Sequence, residues 1–231
     1  MRMFSFVLAT AALLTAAEPP ASFTAPHAKA DFNPTANPNA RQWKRVKPVR
    51  AAVDPFGKTA TAANAFEFRT QWTKDNLYFL FTCPYDSLNL KANPSTTEET
   101  NKLWEWDVTE VFVGSDFENI THYGEFQVSP QGEWVDLDID RVNPKPEGGW
   151  KWNSGMKVAA RIDKSKKIWY GEMMIPLKSI DQRAAKAGTE FRINIYRLTG
   201  AEPKRVSTMW TPVNNRSHHT PAAFGKMVLG E

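Results

Sequence analysis

A chain of 231 residues with 42% apolar content holds enough hydrophobic material for one large sandwich or barrel and calls for no second domain. Its 29 basic residues nearly balance 25 acidic ones, and a formal charge of +4 spread along the chain argues against nucleic acid as a partner. Cys83 is the only cysteine, so an intramolecular disulfide is excluded and stability must come from the core.

Arg2 precedes a run from Met3 to Leu14 interrupted only by Ser5 and Thr10, and small residues follow to Ala17. This is the order of a secretory signal peptide, with cleavage expected after Ala17. Removing residues 1–17 deletes Arg2 and no acid, taking +4 to +3. Glu18, Pro19 and Pro20 stop the run short of the roughly 20 apolar residues that span a bilayer. No transmembrane segment is expected after signal removal, and the expected location is secreted or periplasmic. Residues 18–42, rich in Pro, Ala and Asn, read as a flexible N-terminal segment, so the ordered domain is expected over 43–231.

Beyond Trp43 a period of two dominates. Phe66, Phe68, Thr70 and Trp72 alternate with more polar neighbours, and Thr73 to Asn76 form a turn into Leu77 to Phe81, a run apolar on both faces. That second strand must lie deep. Further strands are predicted over Val108 to Val113, Tyr123 to Ser129 and Trp134 to Asp140, the last two joined by a turn at Pro130 to Glu133. Lys157 to Ile162 and Ile168 to Ile175 pair around the turn Lys164 to Lys167, and strands from Glu190, over Val206 to Trp210 and over Lys226 to Leu229 complete the set. Only Ser179 to Lys186 reads as helical. Eight to eleven strands predict an all-β fold, a two-sheet antiparallel β-sandwich (jelly-roll or immunoglobulin-like) with one short helix.

The chemistry rests on nine tryptophans. An indole offers a flat apolar face on which a sugar ring stacks while its hydroxyls find polar partners. Trp72 and Trp169 fall inside strand patterns and read as core, whereas Trp104 and Trp210 sit at strand ends beside loops. In the strand after Trp104, Val108, Glu110 and Phe112 share one face. A carboxylate among such neighbours must be hydrogen-bonded or paired. Asp136, Asp138 and Asp140 also share a face, about 7 Å apart from one to the next, too spread for one calcium ion, so a solvated face is expected. Asp136 and Asp138 are nonetheless the candidates for any metal. His218 and His219 are adjacent and in an extended segment would point to opposite sides. Nothing supplies a nucleophile elbow, a phosphate loop or a zinc helix, so no enzyme is expected.

Trp104, Asp107, Glu110, Val111 and Phe112, as Trp-x-x-Asp-x-x-Glu-Val-Phe, resemble the central strand of family 9 carbohydrate-binding modules and their DOMON-like relatives. Asp75 to Phe79, Tyr123 to Gly132, Gly171 to Leu177, and Trp210 with His219 to Pro221 and Phe224-Gly225 are similar to further motifs of that family, in the same order. The family's opening P-x-I-D-G has no counterpart, Asp31 to Trp43 standing in its place. The resemblance implies non-catalytic binding of a mono- or oligosaccharide, or of a polysaccharide end, held between two tryptophans with a glutamate on its hydroxyls. It also implies structural calcium. Trp104 and Glu110 fit the first tryptophan and the glutamate, Trp210 is the candidate second tryptophan, and Gln127 and His219 are further polar candidates. The alternatives are a haem-binding electron-transfer domain, for which Met173, Met174 and Met209 are available as axial ligands, a glycoside hydrolase or its accessory, and a structural envelope protein.

Overall fold

The computed structural model describes residues 20–115 and 120–231. The expected signal peptide, residues 1–17, lies outside the described residues. Among the described residues twelve strands form two stacked sheets, and the helical elements between them are short 3-10 turns. Strands β1 (Ser22–Ala25), β12 (Gly225–Leu229), β10 (Glu190–Thr199), β5 (Val108–Gly114), β6 (His122–Val128) and β7 (Trp134–Asp140) lie in that order in the larger sheet. There β11 (Val206–Met209) also pairs with β10, making seven strands. The smaller sheet runs β2 (Val49–Ala51), β3 (Phe66–Trp72), β4 (Asn76–Pro84), β9 (Ile168–Pro176) and β8 (Lys157–Asp163). All these pairings are antiparallel except β1 with β12.

The period of two dictates what fills the space between the sheets. Phe66, Phe68, Leu77, Phe79, Phe81, Trp169, Met173 and Ile175 of the smaller sheet meet Val111, Val113, Phe126, Val128, Ile193 and Ile195 of the larger in one buried cluster. Cys83 is buried in it as a free thiol, its pKa pushed up to about 12 by burial.

β4 is apolar on both faces because both are covered. Tyr78 and Leu80 point away from the main core into a second cluster with Trp43 and Met174, roofed by Phe32, Ala40 and Val46. Phe32 and Ala40 of that roof belong to residues 18–42, the stretch expected to be flexible. In its described part it is ordered instead. Ser22–Ala25 pairs with β12, Phe32 stacks on Tyr78 at 3.9 Å, and Ala36 is fully buried. The physical reason is Glu172, a buried carboxylate on the outer face of β9 that needs donors. The backbone N–H groups of Thr35 and Ala36 each reach its Oε2 at 2.7 Å, and Trp43 Nε1 reaches Oε1 at 2.8 Å.

The expected short helix over Ser179 to Lys186 is not formed. A single 3-10 turn, Leu177–Ser179, stands at its start. Asp181 then accepts bonds from the Arg183 backbone N–H at 2.9 Å and from its guanidinium, a local arrangement that competes with the helical ladder. Among the described residues no helix is long and apolar enough to cross a membrane.

Candidate functional site

The outer face of the larger sheet does not end in solvent. Loops fold over it and leave a cavity of about 560 Å³. Its floor follows from strand parity: Glu110 and Phe112 of β5, Glu125 of β6, Leu137 and Ile139 of β7, and Leu198 of β10 all project the same way and line it.

Trp104 stands at one wall, on a 3-10 turn (Leu103–Glu105) whose first residue, Leu103, is fully buried as an anchor. Arg205 clamps that turn, its Nη1 donating to the Trp104 carbonyl at 2.6 Å and its Nη2 to that of Glu105. Asp107, three residues on, is buried and accepts the Gly200 backbone N–H at 2.7 Å, fixing the β10–β11 turn beside the cavity. Burial pushes the Asp107 carboxyl up, against the pull of that bond and of the Arg197 and Arg205 charges.

Glu110 and Gln127 are cross-strand partners in the β5–β6 register. The amide Nε2 of Gln127 donates one N–H to Glu110 Oε1 at 3.0 Å and the other to Glu125 Oε1 at 2.5 Å, tying two buried carboxylates through one side chain. Burial, and then the Glu110 charge beside it, drive the Glu125 carboxyl well above the ordinary value of 4.5. The second oxygen of Glu110 has no hydrogen-bond partner; His218 Nδ1 faces it at 3.5 Å.

The histidine pair closes the roof. His218 stacks on Tyr196 with centroids 4.6 Å apart and planes 6° from parallel, and its Nε2 lies 2.7 Å from Ser207 Oγ. His219 stacks on Phe112 at 5.1 Å, its Nδ1 is 2.8 Å from the Tyr123 hydroxyl, and its Nε2 lies 3.8 Å from Glu125 Oε2. Burial holds His219 below the ordinary 6.5, against the attraction of Glu110. The expectation that the two rings point to opposite sides is corrected: both line the cavity. The chain there is not extended, since Thr220 N–H bonds back to the His218 carbonyl at 2.7 Å in a three-residue turn.

Of the residues expected at a sugar site, Trp104, Glu110 and His219 line this cavity together. Gln127 does not; fully buried behind the two glutamates, it positions them. Trp210 does not face Trp104. Its ring stands edge-on to Phe23 at 4.9 Å and to Phe68 at 6.5 Å, and the adjacent Gly225 leaves room for it where any Cβ would collide. The loop after β11 turns this side chain inward between the sheets. The residues missed are Glu125, His218, Arg205 and Arg216 on the lining, and Trp150, which joins Trp104 in the apolar cluster over Leu137 and Val108. Only Glu125 left a signal, sharing a strand face with Gln127 two residues away.

Asp136 is not on a solvated face. It is buried, takes Ser154 Oγ at 2.6 Å, and burial raises its pKa. Asp138 is bonded to His122 and lies 3.6 Å from Lys145. Calcium needs about six to eight converging oxygens, and among the described residues no three His, Cys, Asp or Glu side chains converge on a metal position. Asp136 and Asp138 thus belong to no such cluster of side chains. Met173, Met174 and Met209 fall in three separate clusters.

Among solved structures, a protein proposed to bind carbohydrate from Bacteroides uniformis ATCC 8492 superposes with a TM-score of 0.71 at 15% identity, over 91% of this chain and 99% of that one. A family 9 carbohydrate-binding module from Caldicellulosiruptor kristjanssonii matches in its cellotriose complex with a TM-score of 0.64 at 13% identity, over 91% of this chain and 94% of that one. Its glucose complex gives 0.65 at 13%, over 91% and 97%. No curated protein matches by sequence. The sequence profile described as carbohydrate family 9 binding domain-like matches residues 39–231, and the chain belongs to that family.

Proposed function

We propose that the protein is an exported, non-catalytic carbohydrate-binding module whose sugar occupies the cavity over the larger sheet. The observation that carries this reading is the lining itself, which brings Trp104 together with Glu110, His218, His219, Arg205 and Arg216. A volume of about 560 Å³ falls in the roughly 300–1,000 Å³ range of small-ligand clefts. In this reading the sugar ring stacks on Trp104, the second oxygen of Glu110 accepts a hydrogen bond from a sugar hydroxyl, and the imidazoles complete the polar edge. Family membership and the fold shared with modules solved with cellotriose and glucose support the ligand class. The run from Met3 to Leu14 supports export.

Calorimetric titration with glucose, cellotriose and other neutral oligosaccharides tests the reading. Trp104→Ala is expected to lower affinity by at least about tenfold, the loss of one stacking face. Trp210→Phe is expected to lower the melting temperature and leave affinity unchanged, because that ring packs inside the sandwich. No binding to any neutral sugar, or a Trp104→Ala variant that binds like the parent, refutes it.

A further inference from the structure

The opposite face of the sandwich carries a second concavity. It lies over the outer side of the smaller sheet, between the chain near His27 and the segment from Arg41 to Val46, and encloses about 830 Å³. Lys29, Arg41, Lys44 and Arg45 line it, and among the described residues no acid does. None of the four makes an ion pair among the described residues. The adjacent acid, Asp31, is committed elsewhere, to Thr73 at 2.5 Å and to Asn76 and Tyr78 at 2.9 Å each. The stretch Arg41 to Arg50 holds five basic residues and no acid, a denser run than its surroundings.

These cations do not ride on a loose tail. Trp43, between Arg41 and Lys44, is fully buried and bonded to Glu172, and Val46 N–H bonds back to the Trp43 carbonyl at 3.2 Å. An anchored turn holds like charges together at a standing electrostatic cost that a bound anion relieves. Two amides also stand in the lining, Gln42 and the buried Gln71, whose Nε2 donates to the Gln42 carbonyl at 3.4 Å. Such groups suit hydroxyls.

We infer that this groove is a second binding site and that its ligand is an anionic polysaccharide, with carboxylate groups on the four cations and sugar hydroxyls on the two amides. A membrane surface fits less well, because the region is concave and the exposed large apolar side chains, Phe56, Leu90, Val142 and Val206, lie outside it. The inference goes beyond the neutral-sugar site and does not depend on it. The two concavities are separated by both sheets, themselves about 10 Å apart. One sugar residue cannot reach both, so a molecule filled at each face joins two glycan segments.

The experiment is titration of the full chain with polygalacturonate oligomers, parallel to cellotriose, in the parent and in the Lys44→Glu/Arg45→Glu variant. Both side chains are exposed, so folding is expected to be kept, and a thermal melt verifies it. The variant is expected to lose about tenfold or more in polygalacturonate affinity and to keep its response to cellotriose. Raising ionic strength from about 0.01 M to about 1 M, where the screening length falls from roughly 30 Å to 3 Å, is expected to abolish polygalacturonate binding alone. Polygalacturonate binding that ignores both the variant and the salt overturns the inference. So does retention on phosphatidylcholine–phosphatidylglycerol vesicles with no polygalacturonate binding. Charge-dependent polygalacturonate binding by a chain that takes no neutral sugar would uphold the groove while refuting the function proposed for the cavity.

Discussion

Gln127 shows how much one uncharged side chain can govern. Its two N–H groups are shared between Glu110 and Glu125, which lie on neighbouring strands and would otherwise face each other in a buried setting. Replacing it by leucine keeps the volume and removes both donors, leaving two carboxylates short of partners at once. Gln127→Leu is expected to cost about 3 kcal/mol in urea unfolding, the scale for breaking a buried charged network. It should also weaken any sugar affinity, because Glu110 loses the bond that orients it. An unfolding midpoint equal to the parent's would show that the glutamates find other donors.

At the scale of elements, the N-terminal segment acts as an outer wall of the smaller sheet. Trp43 fills the space over Tyr78 and Leu80 and donates to Glu172. Trp43→Ala opens a cavity and removes one of that carboxylate's donors, so a loss of about 3–5 kcal/mol is expected by chemical denaturation. Protease sensitivity is expected to appear first in residues 20–48. The same element marks where sequence stops being legible. That β4 is covered on both faces could be read from Leu77 to Phe81, and the face of Glu110 could be read from strand parity. What covers β4 could not, because the bond that decides it joins Ala36 to Glu172, 136 residues apart. Composition alone made a tail of a docked wall. The histidine pair escaped for a local reason, a three-residue turn that no residue type there announces, and Trp210 because a strand end beside a loop says nothing about which side the ring takes.

For the whole molecule, the buried and half-buried carboxylates set the dependence of stability on pH. Glu99, Asp107, Glu125, Glu133, Asp136 and Glu172 all have raised pKa values, with burial the largest cause in each, and Glu99 reaches about 7. Between its unfolded and folded pKa such a group binds more protons folded than unfolded, so stability falls as pH rises through that window. The windows open at ordinary values of 3.8 for aspartate and 4.5 for glutamate and run upward, for Glu99 to about 7. His219 acts in the opposite sense. Its lowered pKa leaves the unfolded chain binding more protons just below 6.5, so its contribution is complete above 6.5 and is lost as pH falls. Asp31 and Asp181, with lowered pKa values, contribute above 3.8 and lose that contribution only in stronger acid. Above 4.5 the four glutamates, whose windows open there, stand against one histidine and decide the sign. The melting temperature is expected to peak in mild acid and to decline toward pH 8. Glu99→Gln and Glu125→Gln, which keep an acceptor oxygen and remove the titration, are each expected to flatten that decline, and together to flatten it further. Differential scanning fluorimetry across pH 4 to 8 reads this directly, and a melting temperature that climbs steadily from pH 5 to 8 would mean that these carboxylates are ionised in the folded chain at no cost.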